Sequence, residues 1–227
     1  MFIGHIAVGF ASKRFAPRTS LGLLLAATMF ADLLWPVLLA FGLERVRIDS
    51  TARWSNLDFV SYPWSHSLAA LVFWATVCAG IYWAVTRYRS GAVLIWMGVV
   101  SHWVLDWITH RPDMPLWPGS ALYGLGLWNS IAGTMTVELG MLAAGLCLYL
   151  RATRAGDRIG LYAMAAFVAL IVYIEISSPF GAPPPSVSAI VWMSVIAEPI
   201  LLVWAWWFDR HRTTRSALQS KAVPVAG

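Results

Sequence analysis

Long apolar runs alternate with short polar segments along this chain of 227 residues. Six runs approach the ~20 residues that a helix needs to cross a hydrocarbon core. Their approximate bounds are 20–43, 66–85, 91–110, 122–150, 159–176 and 187–208. Proline, glycine or basic clusters separate the runs. The pattern therefore predicts an all-α fold, a polytopic transmembrane bundle of about six spanning helices.

The N-terminal segment 1–15 is apolar but too short to cross a membrane. It is predicted to be a half-helix that enters the bundle, with Lys13 at the membrane face and Met1 pointing inward. At ~1.5 Å per residue, His5 then lies about 12 Å from Lys13, near the midplane.

The chain is expected to contain a single folded domain. Residues 1–208 form one integral membrane domain, and 209–227 form a basic cytoplasmic tail.

Composition and charge support a membrane protein. Apolar residues make up 59% and charged residues 12% of the chain, which excludes an ordinary soluble domain. The net charge of +5 comes from basic residues at the ends of apolar runs, so no nucleic-acid partner is expected. Alternate sides of the predicted bundle carry 12 and 4 Lys or Arg residues. This asymmetry predicts a multi-pass protein of the inner (plasma) membrane with both termini in the cytoplasm.

Ionisable side chains inside the predicted spans are all acidic or imidazole groups. A buried carboxylate is costly unless it is protonated, binds a metal or faces water. The spans contain no Lys or Arg that would neutralise their carboxylates, and four histidines lie in or beside the apolar segments. The carboxylates are Asp32, Asp106, Glu138, Glu175 and Glu198. The histidines are His5, His66, His102 and His110.

The densest group is His102, Asp106 and His110, spaced four residues apart. This spacing places the three side chains along one helical stripe. Imidazole and carboxylate are typical ligands of zinc and related divalent ions, and a central carboxylate can bridge two ions. The alternative is a polar helix face that only hydrogen-bonds to its neighbours. Three ionisable groups on one membrane helix favour the metal site.

Other polar residues are expected near this stripe. Asp32 and Glu138 lie at a similar depth, whereas His66 lies at the outer end of its span. Glu175 and Glu198 remain undecided. Arg111 adjoins the predicted site, where it would bind an anionic substrate group or anchor a lipid headgroup.

The ordered set of motifs resembles the YdjM-like family of inner-membrane, metal-dependent hydrolases. The residues that carry this resemblance are Gly4-His5, Asp32, Ser65-His66-Ser67, and His102-x-x-x-Asp106-x-x-x-His110. The family is distantly similar to zinc-dependent phospholipases C and single-strand nucleases, which cleave phosphodiesters with a cluster of zinc ions.

The resemblance implies roles for individual residues. His66, His102 and Asp106 would bind one metal ion, and His110 would help to bind a second. His5 would lie beside a third ion or support the site. Asp32 would be a ligand or the base for the attacking water.

Glu138 would match the glutamate of a HxxxE pair and join the metal ligands. The residue four positions before it is Thr134 rather than histidine. This departure favours fewer ions or a water in that place, so the expected cofactor is one to three divalent ions, of zinc type.

We therefore expect an enzyme, an integral-membrane metal-dependent hydrolase. It would cleave a phosphodiester or other ester of a membrane lipid or lipid-linked substrate by metal-activated water. The alternative is a membrane transporter for metal ions or protons that uses the same residues. A non-catalytic assembly factor is the third possibility.

Overall fold

The computed structural model describes residues 1–49, 51 and 54–214. Helices dominate these residues, and they are α1 (Ile3–Ser12), α2 (Leu21–Thr28), α3 (Phe30–Ala40), α4 (Pro63–His66), α5 (Leu68–Thr86), α6 (Arg89–Thr109), α7 (Ile131–Ala152), α8 (Arg158–Ser177) and α9 (Val187–Arg210). Short strands form three antiparallel pairs: β1 (Arg45–Ile48) with β2 (Leu57–Ser61), β3 (Met114–Pro115) with β4 (Leu122–Tyr123), and β5 (Thr153–Ala155) with β6 (Arg212–Thr214). The first two pairs lie together at what we call the hairpin end of the bundle.

Helices α5 to α9 are each long and apolar enough to span a membrane. Helices α2 and α3 together form a sixth candidate span, bent by 59° at their junction. The prediction of an all-α transmembrane bundle with about six spans is therefore confirmed. The first span differs from the expectation, because it is broken where Met29 departs from helical backbone geometry.

Polar side chains define where most of the spanning helices begin. Each accepts a hydrogen bond from a backbone N–H in the first turn, which satisfies a donor that the helix itself leaves free. The capping residues are Ser67, Ser130, Asp157 and Ser186.

The fourth span is shorter than predicted, because Ser130 caps the start of its helix. Helix α7 begins at Ile131 rather than at residue 122. Gly126 has a φ of 72°, outside the helical region, and β4 precedes it. The apolar character of 122–130 therefore belongs to a loop and not to a membrane span.

Helix α1 occupies the centre of the bundle. Ile3, Ile6 and Phe10 are all fully buried. A Cβ atom at Gly145 of α7 would collide with the carbonyl oxygen of Ala7, so glycine there permits close packing of the two helices. The predicted half-helix is confirmed as a short buried helix, and it runs parallel to α7.

A buried ion pair fixes the end of the bundle opposite the hairpin end. Lys13 Nζ lies 2.6 Å from Asp209 Oδ2 at the end of α9. Asp209 also accepts hydrogen bonds from the backbone N–H of Leu21 and the hydroxyl of Tyr149. This carboxylate therefore connects α1, α2, α7 and α9.

The predicted tail begins inside the fold. Helix α9 continues to Arg210, and β6 pairs with β5 up to Thr214. Residues 215–227, the rest of that predicted tail, lie outside the described residues.

Replacing Asp209 with alanine is expected to lower the free energy of unfolding by about 3–5 kcal/mol, because it leaves the Lys13 ammonium buried without a partner. The measurement is a denaturant titration of the purified protein in micelles. Asp157→Asn is the control, because that side chain is 48% exposed in its pair with His211 and should cause no measurable change. Equal stability of both variants would show that the Asp209 contacts do not stabilise this end of the bundle.

Candidate metal centre

The stripe on α6 forms the centre of the site. His102, Asp106 and His110 are all buried, with at most 2% of each residue exposed. The Nε2 atoms of His102 and His110 lie 3.1 and 3.7 Å from Asp106 Oδ2. The helical spacing of four residues thus brings both imidazoles to one carboxylate oxygen.

Two other elements contribute to the same cluster. His66, the last residue of α4, places its Nε2 atom 3.8 Å from Asp106 Oδ2 and 3.6 Å from Asp32 Oδ1. His102 Nε2 lies 3.7 Å from the same oxygen of Asp32. Asp32 lies in the first turn of α3, just after the break, so the bend in the first span determines where its carboxylate sits.

The other oxygen of Asp106 faces helix α1. Asp106 Oδ1 lies 3.0 Å from His5 Nε2 and 2.5 Å from the N-terminal ammonium of Met1. The ring of His5 stacks on that of His102 with a centroid distance of 3.8 Å. The two oxygens of Asp106 thus have different surroundings, with α1 on one side and three imidazoles on the other.

Hydrogen bonds at the Nδ1 atoms fix the orientation of two imidazoles. His102 Nδ1 lies 2.9 Å from the carbonyl oxygen of Thr28, so this nitrogen carries a proton. His66 Nδ1 lies 2.6 Å from Ser65 Oγ, which itself donates to Glu44 Oε2 at 2.6 Å. Because the hydroxyl proton is committed to Glu44, Ser65 Oγ accepts from His66 Nδ1.

A carboxylate orients the third imidazole. His110 Nδ1 donates to Asp113 Oδ1 at 3.0 Å, and the hydroxyl of Tyr62 donates to the same oxygen at 2.6 Å. Burial, reinforced by the negative charge of Asp113, raises the pKa of Tyr62 well above its ordinary value. Tyr62 therefore stays protonated and remains a hydrogen-bond donor.

In the neutral form of each ring, a proton on Nδ1 leaves the lone pair of Nε2 facing Asp106 Oδ2. Two acceptors facing each other repel unless a proton or a cation lies between them. His102 Nε2 is buried without a hydrogen-bond partner. Within the described residues, two triads have ligand atoms within 4.8 Å of one another: His66, His102 and Asp106, and His5, Asp32 and His102. This donor set fits a divalent cation.

Neither triad contains His110 or Glu138. Glu138 is fully buried and accepts a hydrogen bond from the backbone N–H of Gly4 at 3.1 Å. That contact caps the N-terminus of α1, where the helix dipole favours negative charge. In the described structure Glu138 therefore positions the helix that carries His5.

The two undecided glutamates each interact with a different carboxylate. Glu175 on α8 is buried and interacts electrostatically with Glu138. Glu198 on α9 interacts with Asp32 and has one buried oxygen without a partner.

Arg111 lies at the hairpin end, apart from the imidazole cluster. Its guanidinium donates to Asp58 Oδ1 at 2.9 Å and to the carbonyl oxygen of Leu57 at 3.2 Å. Asp113 Oδ2 is 3.5 Å from its Nε atom. The Arg111 guanidinium, which was predicted to bind an anionic substrate group, is therefore already paired with carboxylate and carbonyl oxygens of the protein.

Sequence reasoning missed Glu44 and the carbonyl of Thr28. Glu44 is 2% exposed and accepts from the backbone N–H groups of Trp64 and Ser65. It precedes a basic loop, so nothing in the sequence distinguishes it from a solvated charge. The Thr28 carbonyl is available because α2 ends there, and only the unexpected break reveals it.

Access to the cluster is uneven. The Asp32 side chain is 31% exposed, whereas the His66, His102, Asp106 and His110 side chains are at most 3% exposed. A charged carboxylate at membrane depth is tolerated where it faces a polar cleft. The exposed side of Asp32 is therefore where we expect the cluster to open to a polar cleft.

The chain matches one protein-family model, described as YdjM inner membrane protein, over residues 1–179. That range contains every residue of the imidazole cluster and ends before the last spanning helix, Val187–Arg210. Searches of curated proteins and of solved structures found no match.

The exposure of Asp32 can be tested with cysteine labelling in a variant that lacks Cys78 and Cys147. Asp32→Cys should react with a membrane-impermeant maleimide, because the reaction needs water beside the thiol. Glu138→Cys should stay unlabelled, because that position is fully buried. Labelling of whole cells and of inverted vesicles also identifies the side that opens. No reaction at position 32 from either side would contradict a polar cleft there.

Proposed function

We propose that this chain, which belongs to the YdjM inner membrane protein family, is an integral-membrane hydrolase that uses a divalent ion of zinc type. Its substrate is a phosphodiester or other ester of a membrane-associated molecule. The supporting observation is the set of three imidazoles whose Nε2 atoms converge on one oxygen of Asp106. An enzyme is favoured because such a ligand set, beside one exposed carboxylate, provides both a metal site and a base.

The charge balance supports a bound cation. Asp32 and Asp106 both approach His102 Nε2, at 3.7 and 3.1 Å. The ammonium of Met1 lies against Asp106 Oδ1, so it leaves the Oδ2 side uncompensated. A divalent ion on that side would offset the negative charge of both Asp106, which is buried, and Asp32, which is partly exposed.

The residues proposed to hold the ion are His66, His102 and Asp106, with Asp32 beside them. Each ligand imidazole has the hydrogen-bonded Nδ1 atom that is typical of metal-binding histidines. When bound, a divalent ion polarises an ester oxygen and lowers the pKa of a coordinated water from ~15.7 toward ~7. His110 and His5 approach Asp106 from different sides, and His5 forms a hydrogen bond with its carboxylate.

Asp32 is proposed as the base. Its carboxylate is the exposed member of the cluster, so it can receive the proton that the attacking water loses. The water oxygen forms a bond to phosphorus, the bond to the leaving alcohol breaks, and that alcohol takes up a proton. The products of a phosphodiester would be a phosphomonoester and an alcohol.

One observation favours a transporter as the second candidate. The first span breaks by 59° next to Asp32, and broken helices form ion sites in many transporters. Metal uptake into proteoliposomes, without hydrolysis of bis(4-nitrophenyl) phosphate, would select this alternative.

Metal analysis tests the proposed ligands. Purified protein should contain at least one zinc ion per chain, and His102→Ala should reduce this content to about a tenth or less together with hydrolysis of bis(4-nitrophenyl) phosphate. His211→Ala is the control, because His211 lies at the other end of the bundle in a pair with Asp157. Substoichiometric zinc, manganese and iron in the wild type, or metal content unaffected by His102→Ala, would refute the metal site.

The hydrogen bond behind His66 gives a further test. Ser65→Ala removes the acceptor of His66 Nδ1, so zinc affinity should fall about 10–100-fold. The measurement is zinc competition with a chelator. Ser101→Ala is the matched control, because Ser101 Oγ donates to the carbonyl oxygen of Gly98 within α6. Equal zinc affinity of both variants would show that Ser65 does not orient a ligand.

A further inference from the structure

A cavity of about 300 Å³ lies at the hairpin end. We call it the hairpin pocket, and its principal lining residues are Asp49, Trp54, Phe59, Arg111, Trp128 and Asn129. We propose that the hairpin pocket binds a neutral sugar unit attached to the ester that the imidazole cluster hydrolyses. The inference rests on the proposed function and adds the class of substrate to it.

The hairpin pocket adjoins the cluster through His110. The ring of His110 lies 4.2 Å from Trp128 and 5.0 Å from Phe59, measured between centroids. Its Nδ1 atom bonds to Asp113, which also lines the pocket. Its Nε2 atom faces Asp106. His110 is buried behind the pocket lining, and its contacts with Phe59, Trp128 and Asp113 on one side and Asp106 on the other connect the pocket to the cluster.

The charges of the described lining residues argue against an ionic ligand. Arg111 donates to Asp58, and Arg111 Nη1 lies 4.0 Å from Asp49 Oδ2. An anion would compete with these carboxylates for the guanidinium. A cation would approach the guanidinium itself. A neutral group that both donates and accepts hydrogen bonds avoids both conflicts.

The remaining lining suits a sugar ring. Trp54, Phe59 and Trp128 offer apolar faces against which the C–H face of a sugar can pack. Asn129 is exposed and presents both a donor and an acceptor. Hydrogen bonds from Thr51 hold the pKa of Asp49 below its usual value, so Asp49 remains an acceptor for hydroxyl groups. Aromatic faces with a few polar groups are typical of small-molecule pockets.

The test compares 4-nitrophenyl phosphodiesters that differ only in the second alcohol: glucose, N-acetylglucosamine, choline or ethanol. The released product, 4-nitrophenol, is the same for each. At least one sugar diester should have a KM about tenfold below that of the ethyl diester, as expected for one or two additional hydrogen bonds. Asn129→Ala should remove this advantage and leave the ethyl diester unaffected. Asn56→Ala, whose side chain is outside the pocket lining, should retain it.

The outcomes separate the two proposals. Hydrolysis of all diesters with equal KM, or preference for choline, overturns the sugar proposal and leaves the hydrolase intact. If no diester is hydrolysed, the hydrolase proposal fails. The sugar proposal is then tested by direct binding of a sugar to the pocket. Saturation-transfer NMR with methyl glucoside and methyl N-acetylglucosaminide, on protein in nanodiscs, should show contact in the wild type that Asn129→Ala abolishes. Absence of contact in the wild type overturns the sugar proposal.

Discussion

The negative charge of the buried Asp106 carboxylate must be balanced by its neighbours, and the rest of the site depends on this constraint. A carboxylate at this depth needs donors or a cation on both oxygens. On one oxygen, α1 supplies the ring of His5 and the ammonium of Met1. On the other, the imidazole Nε2 atoms of His66, His102 and His110 converge. The positions of α1, α4 and α6 around this point follow from that single requirement.

The imidazoles are held by oxygens that lie in the helix break and the loops, outside the α6 stripe itself. His66 depends on Ser65 and Glu44, His102 on the end of α2, and His110 on Asp113. These oxygens select the tautomer as well as the ring orientation. The chemistry of the cluster is therefore determined as much by the helix break and the loops as by the stripe on α6.

Sequence predicted the spans and the stripe because both depend on local periodicity. Apolar length reveals membrane helices, and a spacing of four places His102 and Asp106 on one face. It also predicted the inward half-helix, since residues 1–15 are apolar yet too short to cross. It failed for residues 122–130, where glycine and Ser130 determine the start of α7. It could not find Glu44, because the role of that carboxylate arises from a contact with Ser65 twenty-one positions away.

The central place of α1 has a consequence for biosynthesis. This ten-residue helix leaves the ribosome before α7, α8 and α9, yet those later helices surround it. The buried ion pair at its end joins Lys13 to Asp209, 196 positions further along the chain. A helix this short gains little stability by itself, so we expect it to dock only after the final span has entered the bilayer. His5 would reach Asp106 at that step, so a nascent chain that stalls before α9 would be expected to leave the imidazole cluster incomplete.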